Sequence, residues 1–152
     1  MGTTTFTGPI RAGNVLNTTG SSAGSVRNVG YVQMVQSVAV TQSATAAATA
    51  ICLPANSQIV GITALVSSAF TGASAGLNIG TSATSTELVA AADFLLNAVG
   101  LFSASPGTDA TRTGVWQNVG TSDVAIWVDS GAPDTTPGEG KLIVTYIQAN
   151  NA

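Results

Sequence analysis

The chain has no histidine, one cysteine, and charged side chains at only 7% of its 152 positions. Each shortage removes a class of function. Without histidine there is no usual general base, no common imidazole metal ligand and no Ser-His-Asp arrangement. The two Gly-x-Ser-x-Gly stretches, around Ser22 and Ser74, therefore read as small-residue loops and not as nucleophile elbows. A Ser-Lys pair would have to use Lys141, which opens a strand. Cys52 sits alone in "TAICLPA", so no intramolecular disulfide can form, and the expectation is a small buried thiol. The cations Arg11, Arg27, Arg112 and Lys141 are scattered. They form no phosphate-neutralising patch, so nucleic acid is not an expected partner. No apolar run approaches the roughly 20 residues of a membrane-spanning helix, so no membrane partner is expected either. The start has no basic-then-apolar signal peptide, and Phe6 stands where a myristoylation signal needs Ser or Thr. A reducing site of synthesis is expected.

Carboxylates are the remaining acid-base groups. Asp123, Asp129, Asp134 and Glu139 fall close together in sequence, mostly in turns or at strand ends, where Asp is favoured for local backbone hydrogen bonds. They lack EF-hand spacing. No catalytic residue, no cofactor and no metal site is expected. Trp116, Trp127 and Tyr146 leave two uses open: core or subunit interface, and a sugar-stacking platform. The second would make the protein a carbohydrate-binding β-sandwich module.

What the chain does have is apolar residues, 45% of the total, in short alternating runs. In "YVQMVQSVAV", Val32, Met34, Val38 and Val40 point one way and Gln33, Ser37 and Thr41 the other, the period of a half-buried strand. "ATAAATAICL" follows, then a turn at "PANS". In "QIVGITALVSSAF", Val60, Ile62, Ala64 and Val66 share a face. "GLNIG", "GVWQNVG", "DVAIWVD" and "KLIVTYIQ" read as further strands. The last carries Leu142, Val144 and Tyr146 on one side and Ile143 and Ile147 on the other, so it is central or covered by a neighbour. Only residues 87–102 show helical spacing, with Leu88, Ala91, Leu95 and Val99 on one stripe and Thr86 as a cap. A short helix or a strand and turn both fit there. Seven or eight short strands with turn signals between them predict an all-β fold, an antiparallel β-sandwich or barrel.

Residues 1–30 differ from residues 31–150. "TTFTGPIRAGN" and "VLNTTGSSAGSVRNVG" have no apolar periodicity and cannot bury themselves. They read as an extended N-terminal arm on a sandwich body. Phe6, Pro9 and Ile10 would supply small apolar anchors, with Arg11 and Arg27 available for carboxylates. The backbone of such an arm can be satisfied by pairing with a strand edge on another chain. A surface of Ser, Thr, Asn, Gln and Gly, against the roughly 25% charge of ordinary domains, loses little when covered. This suggests a protein of an assembly.

The pieces "TFTGPIRAG", "NVGYV", "LPANSQI", "LNIGT", "NVGTSDV" and "VTYIQA", in this order, resemble small head-decoration (capsid cement) proteins of tailed bacteriophages. The resemblance implies a jelly-roll body, a homotrimer, and attachment to the major capsid protein on the outer surface of the virion after assembly in the host cytoplasm. It also implies that the arm, with Phe6, Pro9, Ile10, Arg11 and Arg27, is the capsid-binding element.

Overall fold

Period-two alternation builds the body. The computed structural model describes residues 32–84 and 86–148. Their strands are β1 (Val32–Thr41), β2 (Ala47–Leu53), β3 (Ser57–Ser68), β4 (Leu77–Gly80), β5 (Gly100–Ala104), β6 (Val124–Ser130) and β7 (Glu139–Gln148). All pairings are antiparallel, in a four-stranded sheet ordered β1-β7-β3-β5 and a three-stranded sheet ordered β2-β6-β4. Successive strands thus lie in alternate sheets throughout, and the segment after β4 adds one further pairing. There Leu88 and Val89 stay beside β4, and Ile79 and Val89 exchange backbone bonds of 2.9 Å in each direction. Counting that bridge as a reduced eighth strand gives the order of a jelly roll.

The sheets close over Val40, Ile51, Leu53, Ile59, Ile62, Ala64, Val66, Leu77, Ile79, Ile126, Leu142, Val144 and Tyr146, all buried. Each large apolar side chain so buried contributes about 1.5–3 kcal/mol. The expected two-sided last strand is central: β7 runs between β1 and β3, with Leu142, Val144 and Tyr146 inward. At the "PANS" turn Asn56 takes a left-handed φ of 59°, a conformation Asn tolerates.

Three expectations are corrected, and the alternative left open at residues 87–102 is resolved. Val60 does not share the face of Ile62, because a register shift between Ile59 and Gly61 turns Ile59 inward and leaves Val60 48% exposed. The stripe Leu88-Ala91-Leu95-Val99 is not a helix. Leu88 and Val89 are both buried, Phe94 and Leu96 face inward, and Leu95 and Val99 point out, around a single 3-10 turn at Ala91–Asp93. "GVWQNVG" is not a strand but largely the end of α1 (Ala110–Gln117), capped by Asp109, whose carboxylate accepts from the N–H groups of Thr111 and Arg112 at 2.8 and 3.1 Å. Cys52 is exposed on β2, with Ile51 and Leu53 facing the core in its place.

Two side-chain clusters fix the loops. Gln42, buried just beyond β1, donates from Nε2 to the carbonyls of Thr71 (2.6 Å) and Gly131 (3.1 Å). Its Oε1 accepts from the N–H groups of Thr71 (2.9 Å) and Gly138 (3.1 Å). Both amide protons and both oxygen lone pairs are used. Glu87 is held by the hydroxyls of Ser82 and Thr84 (2.6 Å to Thr84) and the N–H of Thr81 at 3.2 Å. Partial burial raises its pKa, but these bonds and its own backbone N–H outweigh that and hold it below the ordinary 4.5.

Gln42→Leu leaves backbone groups of two loops, β3–β4 and β6–β7, unpaired away from water, at about 1–3 kcal/mol for each unsatisfied group. The expected result is a loss of about 3–5 kcal/mol, in the range reserved for broken buried networks, in chemical denaturation. For Glu87 the folded pKa is the lower one, so the unfolded chain binds the proton first. Its contribution is complete above the ordinary glutamate range and fades as pH falls through the folded value. Glu87→Gln should flatten the acid side of a melting temperature–pH curve while changing its neutral plateau less.

Candidate functional site

The register of the four-stranded sheet decides which side chains meet on its outer face. One row across the strands is Val35, Thr145 and Gly61. The next is Ser37, Ile143, Thr63 and Ser103, and a third is Ala39, Lys141, Leu65 and Leu101. Val35, Leu65 and Leu101 are 60%, 50% and 67% exposed, and Val60 and Val99 also face solvent. Lys141 is the only charge within these rows and has no ion-pair partner among the described residues. Glu139 lies on the rim beside Thr41 and Ser68. The sheet therefore turns its apolar inner face to the core and a second, mixed face of aliphatic and hydroxyl groups to water. Large aliphatic side chains left exposed on a sheet face almost free of charge are the kind of surface that interaction sites use.

Around α1 and the 3-10 turn the polar side chains are paired with one another and with backbone. Arg112 on α1 bonds Asp93 at 2.8 Å and approaches Asp109 at 3.8 Å, tying the helix to the 3-10 turn. Trp116 donates its indole N–H to the Leu88 carbonyl at 3.0 Å and packs against the core. This is a packing role. Tyr146 is buried in the four-stranded sheet and its hydroxyl accepts from Gln36 Nε2 at 2.8 Å. Trp127 lies in the other sheet. The three aromatics do not form one stacking platform.

The acidic residues are separated as well. Asp123 accepts from the N–H of Ala55 at 2.9 Å, Asp129 from the Asn78 amide at 2.6 Å, and Asp134 uses its own backbone N–H on Thr71. Among the described residues no three His, Cys, Asp or Glu side chains are grouped to hold a metal. Ser74 gives its carbonyl to Gly131 N–H and borders a cleft of about 190 Å³ with Ala73, Gly76, Ala91, Ala92 and Leu95. That cleft has no ionisable lining.

The expected arm residues Phe6, Pro9, Ile10, Arg11 and Arg27, and Ser22, lie outside the described residues. The outer-face residues Val35, Leu65 and Leu101 were not singled out by sequence reasoning. Their signal was the two-sided apolar pattern of β7, which required a partner on each face without naming it. No family model matches the chain, and no curated protein matches it. Among solved structures it is similar to a chain described as "Cyanophage Pam1 capsid asymmetric unit". The identity is 19%, the TM-score 0.49, and the match covers 91% of this chain and 99% of that one.

Proposed function

We propose that the protein is a structural component of a phage virion, a decoration or cement protein that binds the outer surface of the head as a trimer and stabilises the shell. One observation carries the reading. A jelly-roll body exposes a nearly uncharged outer sheet face, with Val35, Leu65 and Leu101 half or more exposed, on a chain with only 7% charge. Covering such a face costs little desolvation, since few ions must leave water. The sequence resemblance set out above supplies the kind of assembly.

The mechanism is mass action. A ligand that binds the assembled shell and not its dissociated subunits stabilises the shell by RT ln(1 + L/Kd) for each site, with L its free concentration. No bond is made or broken, and the protein is not an enzyme in this reading. The outer sheet face serves the contact between copies, since cyclic closure buries one patch per subunit against its neighbour. Residues 1–30 serve attachment, with Phe6, Pro9 and Ile10 as apolar anchors and Arg11 and Arg27 on capsid carboxylates. Ordering such an arm costs about 1–2 kcal/mol per fixed residue, so affinity is a surplus spread over many contacts.

The solution mass by light scattering should be a multiple of three chains. Leu65→Glu with Leu101→Glu places two carboxylates on the proposed contact and should abolish that multiple while leaving the circular dichroism spectrum intact. If the double variant keeps the wild-type mass, the face is not the contact.

Co-sedimentation with undecorated heads tests attachment. Full-length protein should pellet with expanded heads, and a chain lacking residues 1–29 should lose most binding, with Arg11→Ala giving only a partial loss. Equal binding by the truncated and full-length chains would remove the arm from the mechanism. Failure of the full-length protein to bind any tailed-phage head would remove the capsid reading itself.

A further inference from the structure

Among the described residues β1, the ten residues Val32–Thr41, is an edge strand, paired on one side, with β7. The pairing runs from Val32↔Gln148 to Thr41↔Glu139 without a bulge, whereas β2–β6 and β3–β7 each contain register shifts. Gln42 continues the ladder, its N–H bonding the Gly138 carbonyl at 2.8 Å. In an antiparallel ladder hydrogen-bonded residues alternate. Even-numbered residues of β1 therefore bond β7, and Gln33, Val35, Ser37, Ala39 and Thr41 turn their N–H and C=O groups to the open edge. Natural edges are protected by charge, proline, bulges or shortness. This edge has none of the four.

The open residues also form a pattern. From Gln33 to Thr41 they read polar, apolar, polar, apolar, polar, and they read the same in reverse. Their side chains are all exposed, on the outer face of the sheet. An antiparallel partner identical to β1, centred on Ser37, places Ser37 opposite Ser37, Val35 opposite Ala39 and Gln33 opposite Thr41. Like meets like at each of these outward positions, with no charge in either strand. On the inward-facing side Met34 would meet Val40, and Gln36 would meet Val38.

We infer that β1 pairs with β1 of a second copy across a twofold axis at Ser37, joining two four-stranded sheets into one. The occupant is a second copy because the strand is complementary to itself in this register. A strand edge buries much less than the area of a standard stable interface, so the contact is weak alone and gains strength where copies are already held side by side. It is distinct from the contact across the outer face and does not depend on the capsid reading.

The test is disulfide trapping in the full-length protein, with Cys52→Ser throughout because Cys52 is exposed. Opposed residues of a hydrogen-bonded antiparallel pair have Cα atoms about 5.5 Å apart, within the range a disulfide spans. Ser37→Cys should give a covalent dimer under mild oxidation. Thr41→Cys alone should not, because the two copies of that position lie about 27 Å apart at 3.3–3.4 Å per residue. Mixing Thr41→Cys with Gln33→Cys should cross-link. Ala39→Pro removes an outward N–H without touching the β7 ladder, as proline at an edge allows, and should suppress trapping of Ser37→Cys while the sheet spectrum persists. The proposal is overturned if Ser37→Cys, shown free by thiol titration, gives no covalent dimer. It is equally overturned if Thr41→Cys alone cross-links as well as the mixture, because the register would then be wrong. The outer-face double variant, Leu65→Glu with Leu101→Glu, should still trap through Ser37→Cys, which separates this contact from the threefold one.

Discussion

The fold depends on one neutral amide. Gln42 lies where β1 leaves the four-stranded sheet, and its side chain bonds backbone groups from the segments after β3, after β6 and before β7. A jelly roll alternates strands between sheets, so its connections must cross from one layer to the other at the ends. Those crossings leave backbone N–H and C=O groups that no ladder satisfies. A buried carboxylate or ammonium could bond them, at a desolvation cost of several kcal/mol for each ion. An amide offers two donors and two acceptor sites with no charge to desolvate, and here all four are used. Beside it Ser130 and Ser43 repeat the solution: Ser43 N–H donates to Ser130 Oγ at 3.0 Å, and Ser130 N–H to the Ser43 carbonyl at 2.8 Å.

The same device recurs along the molecule and accounts for the composition. Gln36 treats Cys52 as a neighbouring strand would. Its Oε1 accepts the Cys52 N–H at 3.1 Å and its Nε2 donates to the Cys52 carbonyl at 2.7 Å, joining β1 to β2 across the layers. Asn78 links β4 outward on both sides, accepting from Ala91 N–H and donating to Asp129, each at 2.6 Å. Amides and hydroxyls close this sandwich where many domains would use ion pairs. Low charge is thus a property of the scaffold as well as of its surface.

Strand positions were legible because alternation is a local signal. β1, β2, β3, β4, β6 and β7 all fall on runs the sequence marks, and of the two readings its apolar faces left open for β7, central or covered by a neighbour, the sheet order gives the central one. The errors came where a short apolar run obeys two periods at once. Leu88, Leu95 and Val99 match a helical stripe, while Phe94 and Leu96 match a strand, and length could not arbitrate. Burial of Phe94 and Leu96 against the sheets decided it. Helix α1 has only eight residues, too few to show a period. Its one clear sign was Asp109 ahead of "ATRT", a cap hidden by the apolar Val115 and Trp116 that follow. The exposure of Cys52 and Val60 was not legible either. The first needs the inward neighbours Ile51 and Leu53, the second a bulge that no residue type announces.

The outer face follows from the same constraint that shaped the core. Once the strands alternate, every inward residue commits its neighbours to the other side, and only their chemistry remains free. In β7 the inward set is Leu142, Val144 and Tyr146, and the outward set is Ile143, Thr145 and Ile147 interrupted by Lys141. A sheet facing water permanently has no physical need for Ile143 beside Leu65 and Leu101 in adjacent rows. Thr, Gln or Lys would keep the β propensity and improve solubility. Aliphatic groups there gain free energy only when another surface removes them from water, at roughly 25 cal/mol per Å². The neutral amides that close the interior and the sparse charges outside then act together, because a face with few ions can be covered without stranding one. The lone Lys141 sets a condition on what covers it: a partner surface must leave its ammonium in water or meet it with an acceptor.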